Sequence, residues 1–140
     1  MTEHNFELSD EQNMILDTLG KWVQDVAEPH ALDNDEHCRF VRDNFDQLAE
    51  MGMLGLPLAE ESGGAGQGWW PKGVGLEQLG GGCGSTARLW LSQTGLCGAA
   101  LDGIAAAAET CQALAGGEKL GAFIGLQHGV TATAGGSGHA

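Results

Sequence analysis

Ile15, Leu19, Trp22 and Val26 recur at spacings of four, three and four residues, the apolar stripe of an amphipathic helix. Ser9-Asp-Glu-Gln12 stands just before it and reads as a capping box, in which the Ser9 hydroxyl takes a first-turn amide and Gln12 reaches back. Pro29 is expected to end or kink this helix, which gives bounds of about Asp10 to Glu28. The next stretch, AEPHALDNDEHCRF, is polar and turn-rich. Val41, Phe45, Leu48 and Met51 then return at helical spacing before Gly52 supplies a left-handed cap, so a second, shorter helix is predicted. Leu54, Leu56 and Leu58 around Pro57 predict an extended apolar lead into the glycine-rich stretch Gly63 to Gly68.

Further on, KGVGLEQL has a helical pattern weakened by Gly73 and Gly75 and stopped by Gly80-Gly-Gly82. Ser85 is placed to cap the segment TARLWLSQTGLCGAALDGIAAAA, which is apolar nearly all round and carries only Arg88 and Asp102 as charges. Such a helix belongs at the centre of a bundle. Glu109 to Ala115 reads as one more short helix, ended by Gly116-Gly117, and LGAFIGL (120 to 126) as a short strand. The tail after it is small-residue and weakly patterned.

Composition narrows the picture. The chain has 140 residues, 42% of them hydrophobic, which is enough for one domain with a core. Six Lys and Arg against 19 Asp and Glu give a net charge of −13, so a nucleic-acid or membrane-surface role is disfavoured. No apolar run approaches the ~18 residues of a membrane span, and the N-terminus lacks the basic and apolar regions of a signal peptide, so a cytoplasmic location without membrane insertion is expected. Cys38, Cys83, Cys97 and Cys111 show no CxxC spacing; reduced thiols are expected, and no metal site.

The glycine-rich stretch does not read as a phosphate cradle. No Lys-Ser/Thr pair follows it, and Gly64-Ala-Gly66-Gln-Gly68 leads into Trp-Trp-Pro rather than into a βαβ unit. Glu60 and Glu61 at its mouth would repel an anion. It is expected to be a turn whose glycines accept positive φ.

The same stretch carries a family resemblance. LSDEQ, AEPHALDNDE, LAEMGMLGLPLAEESGGAG (48 to 66), GLEQL (75 to 79), GSTARL (84 to 89) and ALAGGEKLGAF (113 to 123) follow one another in an order that resembles the N-terminal part of the acyl-CoA dehydrogenase family. The resemblance covers about residues 6 to 126. It implies an all-α helical bundle over residues 1–117, and residues 118–140 as a short C-terminal β stub at the start of a middle domain. Proteins of that family also have a middle β domain and a C-terminal helical domain, which carries the catalytic glutamate, so no residue of this chain is assigned a catalytic role.

The resemblance further implies that Gln93, Thr94 and Cys97 present part of the acyl-pocket lining, while packing inside a buried helix is their plainer role. It places Phe123, Gly125, Leu126 and Gln127 on the strand beside the flavin. Leu126 stands where the family has a flavin-bonding Thr, Gln127 replaces a Glu, and His128 replaces a Pro. The function implied is that of a small subunit in a split, heteromeric flavoenzyme, with FAD and acyl-CoA bound mainly by a larger dehydrogenase-like partner. The alternatives are a scaffold or regulatory protein that retains the fold, and a fragment of a longer dehydrogenase or flavin monooxygenase.

Overall fold

The computed structural model describes residues 7–123. The capping box is present: Gln12 N donates to Ser9 Oγ and Ser9 N to Gln12 Oε1, both at 3.1 Å, and α1 runs Asp10–Trp22. The helix does not end at Pro29. It widens into a π turn, Val23–Ala27, and continues as α2, Glu28–Glu36. A proline ring collides with the carbonyl four residues back in a regular helix and offers no amide. The wider turn just ahead of Pro29, with Glu28 N bonded to Val23 O, carries the helix past that site. The core stripe is Leu16, Leu19, Val23 and Ala27. Ile15, Trp22 and Val26 lie half-buried beside it, with the Trp22 indole donating to Gln47 Oε1 at 2.8 Å.

After a tight link at residues 37–41, α3 runs Arg42–Glu50 and buries Phe45 and Leu48; Gly52 takes φ 73° as its left-handed stop. Leu54, Leu56 and Leu58 are all buried, but in a 3-10 turn (Met53–Gly55) and its continuation, not in an extended strand. The glycine-rich stretch dictates this by folding back on them: Ala65 N donates to Gly55 O, Gly66 N to Leu58 O and Gln67 N to Leu56 O. That approach requires Gly64, where a Cβ would collide with the Leu58 carbonyl. Gly63, Gly66 and Gly68 all have positive φ, as a structural turn demands.

α4 runs Trp69–Gly82 and is longer than its glycines suggest. Packing overrides propensity here: a Cβ at Gly75 would meet Leu19 and Trp90 at 3.0 Å, so the glycine lets α4 approach both. Cys83 separates α4 from the central helix, which starts at Gly84 with Ser85 inside its first turn rather than at its cap. The central helix comprises α5 (Gly84–Trp90), a π segment (Leu91–Gly98) and α6 (Ala99–Leu101). It is not enclosed on all sides. Thr86, Trp90, Gln93 and Thr94 are buried, whereas Leu91 and Leu96 remain 39% and 38% exposed.

α7 (Ala108–Ala115) packs Cys111 and Leu114 inward. Residues 120–123 form no strand, and the rest of the expected strand and tail lies outside the described residues. The described residues thus form an all-α bundle with no strand among them. The main core joins α1, α3, Met53 to Leu56, α4 and α5, and a smaller cluster of Leu58, Cys111 and Ala115 lies under α7.

Candidate functional site

The central helix organises everything of chemical interest. Gln93 is fully buried, with its amide donating to Leu114 O (2.9 Å) and Lys119 O (2.7 Å) while its oxygen accepts from Gly121 N (2.7 Å). Thr94 donates to Leu54 O at 2.5 Å. These two side chains tie the helix to α7, to the segment after it and to the 3-10 turn. Cys97 is half-buried against Gly121, and burial pushes its thiol pKa up. Gln93 and Thr94 therefore spend their polar atoms on this chain's main chain, and only Cys97 of the three keeps partial access to solvent.

Phe123, expected on a strand beside the flavin, lies in no strand and is 54% exposed. Gly125, Leu126 and Gln127, together with His128, lie outside the described residues. Of the residues expected beside the flavin, only Phe123 is described, and its side chain offers an apolar ring. Among the described residues, no three His, Cys, Asp or Glu side chains come together to hold a metal. No described helix is long and apolar enough to cross a membrane.

Three features escaped the sequence pattern. Lys72 of α4 is 2% exposed, with Nζ 4.3 Å from the centre of the Trp90 ring and 3.4 Å from Trp90 O. Its pKa is lowered to about 7, because burial disfavours the charged form and no carboxylate pairs with it among the described residues. The signal was the spacing of Lys72, Gly75 and Leu79 on one face of α4, where a lone charge stands in a buried stripe.

At the other end of the central helix, Asp102 accepts from Ser62 Oγ at 2.6 Å and from Ala59 N at 3.4 Å, fastening the turn after Leu58 to the helix end. Burial raises the pKa of the neighbouring Cys111 thiol. Third, a groove of about 590 Å³ opens between residues 34–41 and 84–89, lined by Cys38, Phe40, Arg88 and Leu89 among others. Only the folded link brings those two stretches together.

A sequence profile described as "Acyl-CoA dehydrogenase, N-terminal domain" matches residues 9–116. The chain belongs to the acyl-CoA dehydrogenase family. It is 32% identical over 92 residues to a probable acyl-CoA dehydrogenase of Bacillus subtilis, YngJ, a match covering 66% of this chain and 24% of that protein. It is 29% identical over 122 residues to the short-chain-specific acyl-CoA dehydrogenase of Clostridium acetobutylicum, covering 85% of this chain and 32% of that one. The chain thus spans about a quarter to a third of the length of these acyl-CoA dehydrogenase relatives. In fold it is similar to a solved structure of the electron transferring flavoprotein of Acidaminococcus fermentans, from work on flavin-based electron bifurcation. The TM-score is 0.76 at 22% identity, over 84% of this chain and 32% of that one. The matched region coincides with the described bundle, so the family's N-terminal helical domain is the part seen here.

Proposed function

We propose that this chain serves as the helical small subunit of a heteromeric acyl-CoA dehydrogenase-like flavoenzyme, docking on a larger partner that holds most of the FAD and acyl-CoA. The reaction of the complex would be α,β-dehydrogenation of an acyl thioester, for which FAD held mainly by the partner would supply the hydride acceptor. The observation that carries this reading is the uncovered apolar surface along the central helix and its flanks. Leu91 and Leu96 are 39% and 38% exposed, Trp69 48% and Phe123 54%. Large apolar side chains exposed together along one helix and its flanks support a docking surface there.

Within this reading Cys97, with Phe123, Gly125, Leu126 and Gln127, faces the acyl and flavin region of the complex. Gln93 and Thr94 hold the backbone that presents it. The test is reconstitution. The chain is mixed with a dehydrogenase-like chain lacking its own N-terminal helical domain, and reduction of an artificial electron acceptor by acyl-CoA is followed. Activity that needs both chains supports the proposal. A partner equally active alone makes this chain a scaffold that retains the fold.

A further inference from the structure

The residues that follow α7 bury no side chain. From Glu118 to Phe123 only Gly121 is even partly covered, and Leu120 and Phe123 are 47% and 54% exposed. A segment without an apolar anchor opens readily unless polar contacts hold it. Gln93, fully buried in the central helix, makes those contacts: its amide donates to Lys119 O at 2.7 Å and its oxygen accepts from Gly121 N at 2.7 Å. The same amide donates to Leu114 O at 2.9 Å, which fixes Gln93 against the last turn of α7 and aims it at the segment. A further bond, from Lys119 N to Ala113 O at 3.1 Å, holds only the root of the segment.

Two glycines give the segment a fixed end and a cover. Gly117, at φ 78°, sits so close to α3 that a Cβ would come within 2.5 Å of Ala49 Cβ, so the chain turns there on a seated pivot. Gly121 lies as close to the central helix. A Cβ there would stand 2.8 Å from Cys97 Cβ and 2.9 Å from its Sγ, with Leu114 Cδ2 at 3.1 Å. Gly121 thus lies directly over Cys97, whose thiol is pushed up in pKa by burial.

We propose that residues 118–123 are a strap that pivots at Gly117 and is latched by Gln93, and that its release uncovers Cys97 and Leu114. The two forms differ in whether the polar atoms of Gln93 bond the strap or water. The consequence for a complex rests on the function proposed above: the strap decides when the Cys97 side of the central helix is open to the acyl and flavin region. The latch itself needs only this chain.

Thiol labelling of the isolated chain therefore reads the strap without partner, flavin or substrate. Iodoacetamide is applied at one fixed pH, and each cysteine is followed by peptide mass spectrometry. The exposed Cys38 is expected to label fastest, Cys97 at a slower rate set by the strap, and the buried Cys83 and Cys111 slowest. Gln93→Leu removes the latch and is expected to speed Cys97 by at least ~10-fold, the effect of losing roughly one to two net hydrogen bonds, with Cys83 and Cys111 unchanged. Gly121→Ala tests the cover from its own side. Cys97 Cβ is fixed to its helix, so the strap must give way to the new methyl, and Cys97 should again label faster than in the wild type. If Gln93→Leu speeds Cys83 and Cys111 equally, by loosening the whole fold, Gly121→Ala decides alone, because Gly121 lies at the partly exposed surface. Wild-type Cys97 labelling as fast as Cys38, or an unchanged Cys97 rate in either variant, would overturn the proposal. The reconstitution assay reads subunit function separately, so either result can fail without the other.

Discussion

Thr86, wholly buried, accepts from the Asn44 amide at 2.8 Å and lies 3.0 Å from the Cys83 thiol, joining α3 to the central helix through one hydroxyl. Thr86→Val leaves the Asn44 amide without that partner, and the loss is expected to cost about 1–3 kcal/mol in urea unfolding. Adding Asn44→Leu should recover part of the loss, because removing both polar partners costs less than stranding one. Lys72 gives a prediction of the opposite sign. Its amine is driven toward neutrality in the folded chain, with a pKa of about 7 against the ordinary 10.5 of a lysine. The unfolded chain therefore binds the extra proton across that window, and stability should rise with pH from about 7 toward 10.5, by at most roughly 1.4 kcal/mol per unit. Lys72→Met should stabilise the chain at pH 7 and flatten the pH dependence, read by thermal unfolding at pH 7 and 9. An unchanged slope would place the titration on another group.

Among elements, what could be read from sequence was what local chemistry settles. The Ser9 capping box, the Gly52 stop and the positive-φ turn at Gly63 to Gly68 each depend on a few adjacent residues, and each formed as expected. Where a partner element decides, the pattern misled. The helix passes Pro29 through a π turn, α4 absorbs its glycines because they seat it on Leu19 and Trp90, and the leucines at 54, 56 and 58 coil because the glycine stretch folds onto them. The central helix misled in a second way: apolar residues all round did not mean burial all round. Of the resemblance-based site residues, Gln93 and Thr94 proved to be the clamps of this helix, a role no spacing reveals, since their acceptors at Leu54, Leu114 and Lys119 are remote in sequence. Gln93→Leu should release the segment after α7, seen as faster amide hydrogen exchange at Gly121 than at Phe45. Equal protection in variant and wild type would show that the segment is held by packing alone.

For the whole molecule, the composition reads as one well-packed domain, yet its exposed surface is divided. The chain carries a net charge of −13, while Trp69, Leu91, Leu96 and Phe123 stay uncovered along the central helix and its flanks. That combination motivates the partner proposed above. The most direct measurement is the native mass of the chain co-expressed with a dehydrogenase-like partner, recorded together with the visible flavin spectrum before and after this chain is stripped away. A yellow heteromer that loses its flavin when the chain leaves is the predicted result. A chain that stays monomeric and colourless, while the partner keeps its flavin alone, would contradict the account.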